Sequence, residues 1–326
     1  MLPSIAFTRP TTLDDATQKL AGRGARAHAG GTDLIGCLHD RVFGADTVVS
    51  LSAIPDLAGI RETSDGGLRI GAMTTVQDVA DHPRVRTRAR ALADAASVVA
   101  SPQLRAQGTL GGNLCQKPRC WYYRGEFHCL RKGGDTCFAF EGQNQFHCIF
   151  AGDACYIVHP SDTAPALIAL GAAVRIVGRG TSRVLEVEKL HVPPSEDPRR
   201  EVRLDPGEVI TEIAIPAPPA GLRSSYRKVR TRASWDFALA GVALALEMDA
   251  RTVRSARVVL SGVAPVPWRV PAVEEVLTGS TLDEDTIERA AAAAVEGAEP
   301  LTHNAYKVAL VRGLLVDELE RAAART

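Results

Sequence analysis

The chain has 326 residues, 45% hydrophobic and 23% charged, a globular composition long enough for two or three packed units. Lys plus Arg and Asp plus Glu both total 38, so the formal charge is zero and no overall field draws the chain to nucleic acid or acidic lipid. No apolar run reaches about 18 residues and the first residues lack a charged-then-apolar leader, so neither a membrane segment nor an export signal is expected.

In chain order, the first segment reads as strand, helix, strand, glycine turn, helix. Thr12 in "TTLDDATQKL" is an N-cap with Asp15 three residues on, and Gly30 and Gly31 break the chain before a short helix. "TVVSLS" and "LRIGAMTT" have the β-branched, alternating content of strands. From Val76 to Ala106 the spacing predicts helix with a turn at Pro83, and Arg84, Arg86, Arg88 and Arg90 form a solvated face. "ACYIVHPSDTAPALIALGAAVRIVG" reads as strand, turn, helix, strand, with Asp162 starting the helix. "GEVITEIAIPAPPAG" adds a strand and then a linker near 216–221. Beyond it lie two antiparallel strands, "FALAGVALALEMD" and "VRSARVVLSGVAPVPWR", and two helices, "DEDTIERAAAAAVEGA" and "NAYKVALVRGLLVDELERAAA". Strands and helices in separate runs predict an α+β fold.

Two stretches set paired glycines beside small polar residues: "AGGTDL", with Gly30, Gly31, Thr32 and Asp33, and "GTLGGNL", with Thr109, Gly111, Gly112 and Asn113. Backbone N–H groups in such turns can converge on a phosphate without a basic side chain. Neither has Rossmann or P-loop spacing, and either alone can be a tight turn. Together in one domain they favour a dinucleotide with a pyrophosphate.

Four of seven cysteines, Cys115, Cys120, Cys129 and Cys137, fall within residues 115–137, Cys148 and Cys155 follow, and only Cys37 stands apart. An odd number cannot be consumed by internal disulfides, and a clustered set without an export signal points to metal or redox chemistry. On the residues alone zinc and iron–sulfur compete evenly, since His128 and His147 neighbour the cysteines without finger-like spacing.

"AGGTDL", "LRIGAMTT", "GTLGGNL", "HPSDTAPALIAL", "YRKVRTRASWDFALAGVA" and "SGVAPVPWR" resemble, in that order, the FAD-binding medium subunits of the xanthine dehydrogenase and carbon monoxide dehydrogenase group of molybdenum hydroxylases. The resemblance runs from about Phe7 to the last helix. It implies a two-subdomain α/β FAD-binding domain over 1–216, with an inserted loop at about 113–157, and an α+β C-terminal domain over 217–326. It carries FAD contacts onto Ala29, Gly30, Gly31, Thr32, Asp33 and Leu34, onto Thr109, Gly111, Gly112 and Asn113, and onto Asp162, Ile210 and Lys228. An N-cap at Asp162 and a surface cation at Lys228 are the plainer readings of those two.

The cysteine-rich insert resembles the subset of such subunits that also hold a [4Fe–4S] cluster, the 4-hydroxybenzoyl-CoA reductases and, more closely, the bacterial three-subunit aldehyde oxidoreductases. With that resemblance Cys120, Cys129, Cys137 and Cys155 are the expected ligands, presented from a glycine-bent loop that Trp121, Tyr122, Tyr123 and Phe127 can cover. Cys37 and Cys148 are expected as buried thiols, Cys148 being the reserve ligand. The implied function is electron transfer: a molybdenum-cofactor large subunit and a [2Fe–2S] small subunit deliver electrons to FAD here, and an external acceptor removes them. No residue of this chain is then needed as a catalytic acid or base. Rival readings are a xanthine dehydrogenase-like or 4-hydroxybenzoyl-CoA reductase-like subunit, a stand-alone flavin reductase, and a non-catalytic interaction subunit whose metal stabilises a loop. The expected location is the cytoplasm, with export alongside a signal-bearing partner as the other route.

Overall fold

In the computed structural model, residues 4–324 are described; the outer ends of the two expected domains, at 1–3 and 325–326, lie outside them. The first unit alternates strand and helix: β1 (Ala6–Thr8), α1 (Leu13–Leu20), β2 (Ala25–His28), α2 (Leu34–His39) and β3 (Thr47–Ser50). The strands form a parallel sheet in the order β1-β3-β2. Thr12 caps α1 through its hydroxyl, which accepts from the Asp15 amide. Ala16 and Leu20 of α1 pack on Val49 and Leu51.

The second unit holds β4 (Ile60–Glu62), β5 (Leu68–Gly71), α3 (Val76–Asp81), α4 (Pro83–Arg88), α5 (Arg90–Ser97), α6 (Pro102–Gln107), α7 (Leu110–Leu114) and, in the cysteine loop, α8 (Trp121–Arg124). It resumes with α9 (Thr163–Ala169), β6 (Ala173–Gly178), β7 (Thr181–Glu186) and β8 (Val209–Ile215), giving a sheet ordered β4-β5-β8-β6-β7. The stretch expected as helix with one turn is four helices, broken at Ala89 (φ −139°) and at residues 98–101 as well as at Pro83. Its arginines are exposed and paired: Arg84 and Arg88 with Glu62, Arg86 with Asp81, Arg90 with Asp94.

The strand expected from Ala154 does not form, and residues 155–161 are irregular. Their backbone bonds go one at a time to separate places: the Cys148 amide to the Tyr156 carbonyl, the His159 amide to the Ala264 carbonyl. β-branched content there serves packing rather than a ladder.

The third unit is an antiparallel sheet with three helices on one face: β9 (Leu222–Val229), β10 (Ala240–Asp249), β11 (Thr252–Ser261), β12 (Trp268–Arg269), α10 (Pro271–Leu277), α11 (Glu284–Ala293) and α12 (Tyr306–Ala324), with strand order β12-β11-β10-β9. β10 is apolar almost throughout because both its faces are buried. Val242, Leu244 and Leu246 join the core under α10 to α12, while Ala243 and Ala245 face the core of the second unit. Small residues on that second face let the two units approach closely. The whole is the expected α+β architecture.

Candidate functional site

The two glycine segments lie side by side. Gly31 has φ +74°, a left-handed conformation that turns the chain from β2 into α2, and a Cβ there would stand 2.7 Å from His28 Nε2. A Cβ on Gly30 would overlap the Gln107 carbonyl, and Gln107 Nε2 donates back to the Gly30 carbonyl at 3.2 Å. Thr109 opens α7 by accepting from the Gly112 amide (3.2 Å), and Gly111 packs where a Cβ would press on Ala72. Asn113 then joins this segment to α9, its Oδ1 accepting from Ser161 Oγ (2.6 Å) and Thr163 Oγ1 (2.7 Å).

Asp162 occupies the N-cap position of α9 but does not cap it; Ser161 Oγ does, accepting from the Ala164 amide at 3.0 Å. The Asp162 carboxylate instead accepts from Tyr226 Oη and from Lys228 Nζ, both at 2.8 Å. Lys228 is therefore not a surface cation: its side chain is 1% exposed. Burial and the Asp162 charge hold the Tyr226 phenol well above its ordinary pKa, so it stays a donor. Ile210 lies on β8 opposite Ile176, its side chain in the core of the second unit rather than at the segments above.

A cleft enclosing about 790 Å³ of space, its open mouth included, runs along Ser161 and Asp162. Its other walls are Arg119, Cys120, Trp121, Phe146 and His147 from the cysteine loop and 236–239, Ser261 and Gly262 from the third unit. His159 also lines it. The His159 and His191 rings meet edge to face at 4.2 Å, and burial, with each other's company, keeps His159 far below an ordinary histidine pKa; burial pushes His191 down to about 4, opposed by its contact with the Leu114 carbonyl. Both are neutral at pH 7. His159 Nδ1 accepts from the Ser161 amide (3.3 Å), which leaves the ring proton on Nε2.

Next to the cleft, Cys120, Cys129, Cys137 and Cys155 wall a single cavity enclosing about 290 Å³ of space, its opening included, with Tyr122, Tyr123, Phe138, His147 and Arg131. Cys120 and His147 belong to both cavities. Cys37, Cys115 and Cys148 stand outside this wall, and burial pushes all three thiols up, to about 11, 12 and 12. Within the wall, burial raises Cys120 to about 11, while Cys137 is lowered to about 6 by the hydrogen bond it shares with Cys155, whose thiol is raised by the same bond. Trp121 faces the cleft rather than this cavity, and Phe127, 45% exposed, covers Tyr122 from outside, its ring 5.0 Å away.

Arg131 is the charged residue of this wall, and the sequence did not single it out. Its side chain is 2% exposed and pairs with Glu201 through Nη2, while Nε and Nη1 have no hydrogen-bond partner. Two orphaned buried donors beside four thiols fit an anionic group better than a void. Among the described residues no group of three or more His, Cys, Asp or Glu is arranged to hold a single metal ion. Asp33, carried over as a flavin contact, turns onto the cysteine loop: its carboxylate accepts from the Lys117 amide (2.7 Å), from Arg124 (2.7 Å) and from Arg119 (2.9 Å).

Residues 3–218 match the family model described as the FAD binding domain in molybdopterin dehydrogenase, and residues 224–322 match the CO dehydrogenase flavoprotein C-terminal domain. The chain is 36% identical over 328 residues to the aldehyde oxidoreductase FAD-binding subunit PaoB of Escherichia coli (strain K12), covering 98% of this chain and 99% of that one. It is 28% identical over 333 residues to the carbon monoxide dehydrogenase medium chain of Afipia carboxidovorans, covering 100% and 99%. A solved structure of a Cu,Mo-CO dehydrogenase in its cyanide-inactivated form superposes with a TM-score of 0.80 at 26% identity over the full length of both chains. The chain thus belongs to the FAD-binding medium subunits of the CO dehydrogenase and xanthine dehydrogenase family of molybdenum hydroxylases.

Proposed function

We propose that this chain is the flavin subunit of a molybdenum-dependent aldehyde-oxidising complex and that it holds a [4Fe–4S] cluster through Cys120, Cys129, Cys137 and Cys155. The observation that carries the reading is the shared wall: the four-thiol cavity and the cleft beside Asp162 have Cys120 and His147 in common. FAD, when bound, takes up an electron pair and releases it to an acceptor. The segments 29–34 and 109–113, with Asp162, are the residues that would hold it. Lys228 and Tyr226 act through Asp162 by fixing both carboxylate oxygens. His159 offers a neutral N–H donor at the cleft wall, and Trp121 and Phe237 exclude water there.

Support for the cluster comes from the donor set. Four thiols from irregular backbone, two buried tyrosines and a buried guanidinium with free N–H groups make a dry, cation-lined enclosure suited to an anionic iron–sulfur core. The likeness to an aldehyde oxidoreductase subunit supports the substrate class and a complex with a molybdenum-cofactor large subunit and a [2Fe–2S] small subunit; the external acceptor and a cytoplasmic location are part of the same proposal.

Anaerobic purification with iron, zinc and flavin counts tests it. One FAD and about four irons per chain are expected, the number a cubane requires. Zinc in place of iron would mean a structural clasp and would end the cluster reading. Flavin without iron would leave the flavin subunit standing and remove the cluster from it.

A further inference from the structure

His147 stands where the two cavities meet, and the entry to α12 grips the strip of chain that carries it. The His303 amide donates to Asn144 Oδ1 (2.9 Å), Asn304 Nδ2 donates to the His147 and Cys148 carbonyls (3.1 and 3.0 Å), and Tyr306 Oη donates to the Gln145 carbonyl (2.8 Å). Lys307 Nζ spans the cleft walls, donating to the Phe146 carbonyl (3.2 Å) and the Gly262 carbonyl (2.6 Å). Asn304 and Lys307 are both 0% exposed. The side-chain donors of Asn304, Tyr306 and Lys307 are thus spent on residues 145–148 and Gly262, while Asn304 Oδ1 closes the local turn by accepting from the Leu301 amide (2.6 Å).

The held ring meets one of the proposed cluster ligands. His147 Nε2 lies 3.3 Å from Cys120 Sγ, and Nδ1 is buried without a hydrogen-bond partner. A cluster-bound sulfur carries no proton and can only accept, so at this distance from Cys120 Sγ the Nε2 is the donor. We infer that His147 donates its Nε2–H to the Cys120 sulfur and so raises the reduction potential of the cluster proposed above, with Asn304 and Lys307 as the positioning residues that hold it. The direction follows because an N–H dipole aimed at a ligand sulfur stabilises the extra negative charge of the reduced cluster. The inference rests on the cluster reading and goes beyond it, since it assigns what sets the potential on the side facing the cleft.

The test uses the full chain purified anaerobically with its partner subunits. Iron and flavin are counted first, and the cluster's midpoint potential is then measured by EPR-monitored titration in the unsubstituted protein, His147→Phe and His147→Gln. The expected result is a shift to more negative potential in His147→Phe with iron and FAD unchanged, and recovery towards the original value in His147→Gln, which keeps an N–H. An unmoved midpoint in an iron-replete His147→Phe protein overturns the inference. Should that variant lose its iron, pulsed EPR of the unsubstituted protein grown on ¹⁵N-histidine decides: a nitrogen coupling to the reduced cluster supports the bond, and its absence overturns it. An unsubstituted protein without iron overturns the cluster reading and this inference together, a result distinct from an iron-replete protein whose potential does not move.

Discussion

The cleft and the cysteine cavity share two residues yet are built on opposite principles. Around Asp162 the polar groups are settled within the chain: Asp162 has Tyr226 and Lys228, and Asn113 has Ser161 and Thr163, whereas Arg119 Nε and His147 Nδ1, on the wall toward the cysteine loop, have no partner. At the cavity, four thiols face one another and Arg131 leaves two nitrogens without partners. The Asp162 end of the cleft, with its polar groups paired, stands by itself and receives a ligand. A site with orphaned groups needs its ligand for its own stability, because each buried unpaired group costs about 1–3 kcal/mol.

The largest effect that would sharpen this contrast is on metal content. Replacing Cys155 or Cys120 by Ala removes one of the four ligands proposed above, and on that proposal loss of essentially all iron is expected. Cys148→Ala, outside the cavity, is expected to keep it. Iron counts on the three variants check this; full iron in Cys155→Ala would break the assignment of the wall.

At the cleft the largest effect is on stability. Lys228→Met leaves Asp162 buried without its cation, and removing one partner of a buried pair costs about 3–5 kcal/mol. Denaturant unfolding of the full chain measures it. A loss below about 1 kcal/mol would mean that the carboxylate takes a proton or water and is not held as a charge. FAD content of the same variant reports whether Asp162 needs Lys228 in order to serve the cofactor.

Between the two regions lies the grip of residues 303–307. Asn304→Ala strips the His147 and Cys148 carbonyls of their donor, for an expected cost of about 2 kcal/mol. Lys307 adds a pH dependence with a definite sign. Burial lowers its folded pKa to about 7, while an unfolded lysine keeps its proton to about 10.4. Between those values the unfolded chain binds more protons, so this residue's contribution makes stability rise with pH, by up to about 1 kcal/mol per pH unit. Below pH 7 its penalty is fully present. Lys307→Met is expected to lack that rise, and unfolding midpoints of both proteins from pH 7 to 10 compare them directly.

Much of this was legible in residue types that constrain backbone. Gly31 is at positive φ in the turn the sequence marked, and Thr12 caps the helix that follows it. What the sequence hid depends on partners far along the chain. Asp33 sits in the expected turn, but its carboxylate is claimed by Arg119 and Arg124 more than 80 residues away. Lys228 looked like one of several surface cations because nothing local says that β9 lays it under Val98 and against Asp162. The strand expected at Cys155 failed for the same kind of reason: its backbone bonds one group at a time to Cys148 and Ala264, while Ile157 lines the cysteine cavity and Val158 the cleft. β10 was easier, since continuous apolar character over the seven residues 240–246 already implies two buried faces.

The smallest expected effect tests whether the second glycine segment is part of the cofactor's seat or only a well-capped turn. Thr109 Oγ1 accepts from the Gly112 amide, Thr109 pairs with Thr75 in an isolated bridge, and the helix it opens has five residues. Thr109→Ala removes one capping bond, worth about 1 kcal/mol, and leaves the bridge in place. If the segment only turns the chain, unfolding shifts by that amount and FAD content stays at one per chain. If it holds the cofactor, the loosened Gly111 and Gly112 amides lower flavin retention by more than the stability loss explains. Dialysis of the variant and the unsubstituted chain side by side, with flavin counted before and after, separates the two.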